Sequence, residues 1–176
     1  IMAQSGLTPF TYLPFSLLFP FKKVFITFHG YETKFPPTKS AIFQRRLADK
    51  LTHGSIAVGS YINQWYMTSS DLVIYGATDF KSLPLPKKPH ILVLGRLSQD
   101  NNMGIVHQAL RQTKLPVTFV GDGPYRQQAE KIGQVTGFIA NITPYLHRAS
   151  LVIASSYLSI LDALAAGRPV ISIYQN

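Results

Sequence analysis

The sequence predicts an α/β fold built on parallel sheets. Short apolar runs rich in β-branched residues alternate with amphipathic stretches, which is typical of parallel α/β architecture. The alternation is interrupted at 80–90 by FKSLPLPKKPH, which is rich in proline and lysine and has no apolar period. We therefore expect two α/β domains, at 1–80 and 91–176, joined by a linker at 81–90.

The first domain is predicted from a few local patterns. VFITF at 24–28 indicates a buried strand that stops at His29 and Gly30. A surface helix is expected at 38–53, with Thr38 or Ser40 as its N-cap. Its apolar stripe at helical spacing consists of Ile42, Phe43, Leu47 and Leu51. Further elements are predicted as a strand at 55–60, a helix at 62–67 and a strand at 72–76.

The second domain has a more regular rhythm. Strands are predicted at 91–95, 117–121, 135–139, 151–155 and 169–174, with helices at 103–113, 124–132, 143–148 and 158–166. This alternation predicts a doubly wound parallel sheet with the strand ends at Gly95, Gly121 and Ser155 on one rim. The chain begins without an obvious first strand and ends directly after one, so we expect both domains to be incomplete.

Composition limits the classes of function. The 17 Lys and Arg exceed the 8 Asp and Glu, which favours an anionic partner. The basic residues are scattered in pairs and no nucleic-acid-binding signature accompanies them, so nucleic acid is an unlikely partner. The absence of cysteine favours a reducing cytoplasm, and no apolar run is long enough to span a membrane.

The segment PFTYLPFSLLFPFKK at 9–23 has two interpretations. The favoured one is a loop packed against the sheet, because its prolines break any long amphipathic helix. The alternative is a dip into an anionic membrane surface, where a lipid-linked acceptor would be presented. The second interpretation would make the protein peripheral at the inner membrane face.

Residues that could carry chemistry cluster after the predicted strands. Arg96 follows the first strand of the second domain, where an arginine can pair bidentately with phosphate. Gly121 and Gly123 are interpreted as tight-turn glycines rather than ligand contacts. No histidine has metal-ligand spacing, and neither a P-loop nor a GxSxG motif is present. We therefore predict no metal site.

Several motifs in order resemble a known family. They are GRLSQD at 95–100, FVGDGPYRQQAEK at 119–131, VTGFI at 135–139, ITPYLHRASLVIASS at 142–156 and ILDALAAGRPVIS at 160–172. Together they resemble the carboxyl-terminal domain of the retaining GT-B glycosyltransferases of family 4, the glycosyl transferases group 1. A weaker resemblance continues before residue 91. The resemblance as a whole implies a GT-B fold of two Rossmann-like domains.

The resemblance implies roles for individual residues. Arg96 would grip the diphosphate of the donor, and Asn101 stands where such enzymes have a partner lysine. Asp162 stands where they have the glutamate that holds the ribose hydroxyls, whereas the place of their other glutamate falls at Ala154 or is lost in a compressed loop at 155–159. Further residues follow in the same way: the amides of Ser159, Ile160 and Leu161 would bind phosphate, and Phe138 and Ile139 would cradle the base.

On the acceptor side the resemblance points to a histidine turn. His29 would lie near the reacting sugar and, with Arg96, take part in catalysis, while Gly30 and Glu32 would line the same place. The function implied is transfer of a sugar from a nucleotide-sugar to a hydroxyl acceptor, with retention and without metal or cofactor. Two alternatives remain, a catalytically silent nucleotide-sugar-binding module and a sugar-nucleotide epimerase.

Overall fold

The structure, a computed structural model, describes residues 2–4, 18–30 and 36–173. The chain divides into two compact units, Ile1–Tyr75 and Gly76–Asn176. We call them the amino-terminal and the carboxyl-terminal unit. The division falls upstream of the predicted linker, whose residues 81–90 form no helix or strand.

The amino-terminal unit contains a parallel sheet of four strands in the order β1-β2-β3-β4. The strands are β1 Met2–Gln4, β2 Phe25–Phe28, β3 Gly54–Val58 and β4 Leu72–Ile74. Two helices are described after β2, α1 Lys39–Leu51 and α2 Ser60–Tyr66. The elements predicted from residue 24 onward are confirmed, whereas β1 was missed because three residues carry no periodic signal.

Helix α1 begins as predicted, and its two buried residues are not part of the apolar stripe. Thr38 is the N-cap, and its hydroxyl accepts a hydrogen bond from the amide of Ala41 at 3.2 Å. The buried residues of the helix are Arg45 and Ala48, whereas Phe43 is 67% exposed. Of the apolar stripe, Ile42 packs against the core of the unit, whereas Phe43 and Leu51 are exposed. Arg45 can be buried because two aromatic rings and a backbone carbonyl contact its guanidinium.

Arg45 is enclosed by two aromatic rings of the amino-terminal core. Its guanidinium carbon lies 3.7 Å from the centroid of the Tyr66 ring and 4.8 Å from that of Phe28. One of its nitrogens, Nη2, donates to the carbonyl oxygen of Gly30 at 2.9 Å. Cation–π contact and a charge-assisted hydrogen bond together offset part of the cost of burying a charge. The side chain thereby ties α1 to the turn after β2.

The carboxyl-terminal unit contains a parallel sheet of five strands in the order β7-β6-β5-β8-β9. The strands are β5 Ile91–Leu94, β6 Val117–Val120, β7 Gln134–Val135, β8 Leu151–Ala154 and β9 Val170–Ile171. The helices are α3 Met103–Leu110, α4 Arg126–Glu130, α5 Thr143–Arg148 and α6 Tyr157–Ala165. A short 3-10 helix spans Gln99–Asn101.

Helices cover both faces of this sheet, which confirms the doubly wound prediction. On one face, Val106 of α3 and Ala129 of α4 pack in a core cluster with Phe119. On the other face, Leu146 of α5 and Ala163 of α6 pack with strand residues of β5 and β8. The central strands β5 and β6 are buried along their full length, as expected for parallel strands covered on both sides.

Two predicted strands of the carboxyl-terminal unit are reduced to two residues each in the structure. Strand β7 was predicted at 135–139, but it ends at Val135 and Gly137 follows with a φ of +75°. Such a backbone angle leaves the extended region, so Phe138 and Ile139 lie beyond the strand. The last strand was predicted at 169–174 and is confined to Val170–Ile171.

Arg168 fixes the segment before β5 to the core. It is 1% exposed, its Nε donates to the carbonyl oxygen of Leu146 at 2.9 Å, and its Nη2 donates to that of Pro84 at 2.6 Å. Burial lowers the pKa of its guanidinium. Phe80 and Leu83 also pack against the cluster that contains Leu146. This part of the chain is thus held by specific contacts although it has no regular secondary structure.

His90 gives the carboxyl-terminal unit a pH-dependent stability. Burial and, secondly, Arg148 lower the pKa of His90 below its ordinary 6.5, and its Nε2 lies 2.9 Å from Thr118 Oγ1. As the pH falls, His90 binds a proton at a higher pH in the unfolded chain than in the folded chain. The contribution of His90 to the free energy of unfolding is therefore complete above pH 6.5 and decreases below it. We expect the melting temperature to fall between pH 7 and pH 5. In His90→Gln this fall should be smaller, whereas His147→Gln, at an exposed position, should leave it unchanged.

Candidate functional site

The carboxyl-terminal unit carries a cleft of about 860 Å³ where its strands end. Parallel strands place their carboxyl ends on one edge of a sheet, and ligands of such sheets bind there. The prediction that Gly95, Gly121 and Ser155 share one rim is confirmed by the parallel registers of β6 and β8 on β5. The cleft is lined by Phe80, Leu94, Gly95, Arg96, Asp100, Asn101, Val120, Gly121, Asp122, Phe138, Ile139, Ala140, Asn141, Ile142, Ser156, Leu158, Ser159 and Asp162.

The floor of the cleft depends on a close approach of two backbones. A Cβ at Gly121 would overlap the carbonyl oxygen of Gly95, and one at Gly123 would overlap that of Leu97. Both glycines also have positive φ values, 151° and 153°. They are therefore required for the packing of the turns after β5 and β6, in agreement with the tight-turn interpretation.

Arg96 is exposed on the rim of the cleft, directly after β5. Among the residues that the structure describes, no acidic side chain forms an ion pair with its guanidinium. Asn101 lines the same cleft, and its Nδ2 donates to the carbonyl oxygen of Arg96 at 2.9 Å. Asn101 thus fixes the loop that carries Arg96 instead of supplying a second positive charge.

The three carboxylates that line the cleft differ in their surroundings. Asp122 accepts from Arg126 Nη1 at 2.7 Å and from the amide of Gly123 at 2.8 Å. Arg126 also pairs with Glu130, at 2.9 Å. Asp100 lies in the 3-10 helix beside Arg96, and Asp162 lies in α6. The charge of Asp122 is therefore balanced locally, which leaves Asp100, beside Arg96, and Asp162, in α6, as the other acidic groups of the cleft.

Helix α6 points its amino-terminal end at the cleft, but it starts earlier than predicted. The helix begins at Tyr157, and the amide of Ile160 already donates to the carbonyl oxygen of Ser156 at 3.0 Å. The amides that lack an intrahelical acceptor are therefore those of the first turn, at 157–159. Ile160 packs in the core and Leu161 lies against Gly76, so only Ser159 of the three predicted residues lines the cleft.

The first turn of α6 retains free hydrogen-bonding capacity. Ser156 is the N-cap, but its side chain does not cap an amide and its hydroxyl bonds to that of Ser159 at 2.6 Å instead. The amides of the first turn of a helix have no intrahelical acceptor, and the helix dipole is positive at this end. This arrangement suits an anionic group of a ligand.

Asp162 and the turn after β7 complete the predicted set. Asp162 is partly buried and lines the cleft from the face of α6 that also carries Leu158 and Ser159. Phe138 is 91% exposed at the mouth, and Ile139 is partly buried below it. A flat heterocycle would find an apolar surface there, with a carboxylate and helix amides deeper in the cleft.

The predicted acceptor-side residues belong to the amino-terminal unit. His29 is exposed and Gly30 is partly buried, both directly after β2. The turn that they form is held by the hydrogen bond from Arg45. Glu32 lies outside the described residues.

Several lining residues were not predicted as site residues. Asp100 and Asp122 follow β5 and β6 closely, so their position after a strand was a usable signal. Asn141 lies in the turn before α5, where its Oδ1 accepts from the amide of Thr143 at 3.0 Å. Phe80 reaches the cleft from a segment without secondary structure, and no local pattern in the sequence could indicate that.

In the part of the chain that the structure describes, no helix is both long and apolar enough to cross a membrane. The same residues contain no group of three or more His, Cys, Asp or Glu side chains arranged to hold a metal ion.

Comparison with solved structures identifies the fold class. The chain is similar to TarM, with a TM-score of 0.68 and 11% identity over 96% of this chain and 39% of TarM. It is similar to HepE (Alr3699) from Anabaena, crystallised with UDP and glucose, with a TM-score of 0.69 and 16% identity over 88% and 53% of the two chains. The two parallel α/β units thus have the GT-B fold that the sequence predicted.

A third structure adds a ligand-bound relative of the same fold. It is a point mutant of TarM from S. aureus in complex with fondaparinux, alpha-GlcNAc-glycerol and UDP, with a TM-score of 0.66 and 13% identity over 89% of this chain and 39% of that one. The chain therefore spans between 39% and 53% of the length of these structures. No curated protein sequence matches it significantly.

The family follows from the sequence itself. A family model described as glycosyl transferases group 1 matches residues 88–175, which is half of the chain. The chain belongs to this family.

Proposed function

We propose that the carboxyl-terminal unit binds the nucleoside diphosphate part of a nucleotide-sugar donor, and that the protein transfers the sugar to a hydroxyl acceptor. The observation that carries the proposal is the composition of the cleft at the strand ends. It combines an arginine without an ion-pair partner among the described residues, the uncapped first turn of α6, a carboxylate and an exposed aromatic ring. UDP is the first nucleotide to test, because the HepE and TarM structures hold it.

The proposed chemistry needs stabilisation of a departing diphosphate. Negative charge grows on the phosphate oxygens as the bond to the sugar breaks, and donors already in place stabilise it without reorganisation. Arg96 can donate two parallel hydrogen bonds, and the amides at 157–159 add the positive end of the α6 dipole. These groups support a metal-independent transfer, and full activity in EDTA would be the corresponding result.

Retention of the anomeric configuration is the second part of the proposal. The resemblance to retaining enzymes supports it, with His29 on the acceptor side of the reaction. NMR of the first product anomer distinguishes retention from inversion. If the sugar nucleotide changes the configuration of its sugar and no sugar is transferred to an acceptor, the protein is an epimerase instead.

A silent binding module is the competing function. The observation in its favour is the side chain of Asn101, which adds no charge beside Arg96 and is used to fix the loop. A panel of UDP-, GDP-, ADP- and CMP-sugars separates the possibilities in two steps. A raised melting point identifies the nucleotide, because a ligand that binds the native state stabilises it. Turnover of that sugar nucleotide by the full-length protein then identifies an enzyme, and binding without turnover a module.

Asp162 is expected to hold the ribose hydroxyls of the nucleotide. Hydrogen bonds to a charged acceptor contribute roughly 1.5 to 3 kcal/mol each before the cost of desolvation. Asp162→Ala should therefore weaken nucleotide binding by about 2 kcal/mol, a factor of roughly 30, measured by calorimetric titration. Asp162→Glu should keep or improve the affinity. Asp79→Ala is the control, because Asp79 is exposed and does not line the cleft.

Equal affinity in Asp162→Ala, Asp162→Glu and the unmodified protein would mean that Asp162 is a solvated helix residue. The nucleotide would then bind without the carboxylate of α6.

A further inference from the structure

The outer face of α1 in the amino-terminal unit carries a second cavity, of about 520 Å³. Its walls are formed by α1 and by Met67, the residue that ends α2 with a left-handed backbone. We call this cavity the α1 groove. The cleft proposed to bind the donor nucleotide, which we call the donor cleft, lies in the carboxyl-terminal unit. An occupant of the α1 groove can therefore be tested separately from the nucleotide.

The α1 groove exposes large apolar side chains to solvent. Phe43 is 67% exposed and Met67 is 66% exposed, while Ile42 and Leu47 are partly buried beneath them. The inner face of α1 is occupied by Arg45 and Ala48. A rotation of the helix that buried Phe43 would break the contacts of Arg45 with Phe28 and Tyr66. The apolar surface is therefore a fixed feature of the folded unit.

Positive charge surrounds this apolar surface. Lys39, Arg46 and Lys50 line the α1 groove, and none of the described residues that line it is acidic. The acidic residue of α1, Asp49, faces β3, where its Oδ1 accepts a hydrogen bond from the hydroxyl of Ser55. It therefore does not neutralise the groove. One side of a single helix thus combines an aromatic ring with a row of cations.

We propose that the α1 groove is a docking surface for an anionic membrane. Phe43 and Met67 would enter the boundary between headgroups and acyl chains, and Arg46 and Lys50 would contact lipid phosphates. An interfacial helix has this combination of exposed apolar side chains and flanking Lys or Arg. The formal net charge of +9 adds a long-range attraction to the same surface.

The composition favours lipid over other anionic partners. Nucleic acid would pair with the cations but would leave the apolar floor of the groove in water. A second copy of this chain would cover the apolar floor, but it would bring another basic groove toward the first. An anionic bilayer satisfies both halves of the surface at once.

The test is sedimentation of the full chain with phosphatidylglycerol–phosphatidylcholine vesicles at low salt, with pure phosphatidylcholine vesicles as reference. Arg46→Glu plus Lys50→Glu should lower binding to the anionic vesicles at least about tenfold, since each basic residue near such a surface contributes roughly 1 kcal/mol. The matched control is Lys87→Glu plus Lys88→Glu, at two exposed residues outside the groove. Each single substitution to Glu lowers the net charge by two units. Both double variants therefore have a net charge of +5 instead of +9.

A second variant tests the apolar part of the α1 groove. Phe43→Ser should leave the salt dependence of vesicle binding unchanged and weaken the binding that persists at high salt. Circular dichroism melting confirms that each variant is folded, and UDP titration reports separately on the donor cleft. If the unmodified chain binds anionic vesicles but does not bind UDP, the proposed donor site is overturned and the docking surface still stands.

Three outcomes would overturn the docking proposal. The first is no binding of the unmodified chain to anionic vesicles at low salt. The second is an equal loss in both double charge reversals, which would indicate a general effect of net charge. The third is loss of binding only in Lys22→Glu plus Lys23→Glu, which would place the membrane contact in the 9–23 segment. Of that segment the structure describes 18–23, where Phe21 is 96% exposed.

Discussion

Gly121→Ala is expected to lower the free energy of unfolding by about 3 kcal/mol or more, because overpacking against backbone cannot be relieved by a rotamer change. The new methyl group would overlap the carbonyl oxygen of Gly95, which belongs to the turn after the neighbouring strand. The φ of +151° at Gly121 adds backbone strain for any other residue. Urea unfolding followed by circular dichroism measures the change.

Gly104→Ala is the matched control for this substitution. Gly104 lies in the first turn of helix α3, and a Cβ there would meet its nearest atom, the hydroxyl oxygen of Tyr125, at 3.5 Å, an ordinary contact. Alanine is compatible with a helix and reduces the conformational freedom of the unfolded chain, so this variant should be about as stable as the unmodified protein. Unfolding midpoints that are the same for Gly121→Ala and the unmodified protein would show that the two turns do not approach as described.

Arg96→Ala is expected to weaken UDP binding by at least about 2 kcal/mol, a factor of roughly 30, because it removes charge-assisted hydrogen bonds to the diphosphate. Arg96→Lys should recover only part of the affinity, since an ammonium group cannot form the planar bidentate pair. Isothermal titration calorimetry with UDP and with uridine separates the phosphate contribution. The loss should be large for UDP and small for uridine.

Arg111→Ala serves as the control for a general effect of charge. Arg111 is exposed at the end of α3 and does not line the donor cleft. If Arg96→Ala and Arg111→Ala bind UDP equally well, Arg96 does not contact the diphosphate, and the donor would have to bind elsewhere.

The parallel sheets and the rim could be predicted because their signals are local. Buried strands such as β5 and β6 are continuous apolar runs, and each is followed by a glycine that marks its end. The carboxyl ends of parallel strands must then share an edge, which brings Arg96 and Gly121 together without further information. Asp162 was assigned by the resemblance to the family, and its place in the first helix after β8 agrees with that assignment.

Other features depend on contacts that no local pattern encodes. The apolar stripe of α1 gives no indication that Arg45 is buried, because the contacts of Arg45 with Phe28, Tyr66 and Gly30 are tertiary. Helix α6 begins at Tyr157, one residue before its predicted start, so the amides without an intrahelical acceptor are those at 157–159 and not those of Ile160 and Leu161. Phe80 reaches the cleft only through tertiary packing of a segment that reads as a linker.

The most direct test of the donor site is hydrogen exchange with mass spectrometry, with and without saturating UDP. We expect slower exchange in three segments of the carboxyl-terminal unit, 95–101, 137–142 and 156–162, because bound nucleotide would cover their amides. Exchange in α1 should be unchanged. Protection confined to the amino-terminal unit, or no protection in any of the three segments, would contradict the proposal that this cleft binds the nucleotide of a sugar donor.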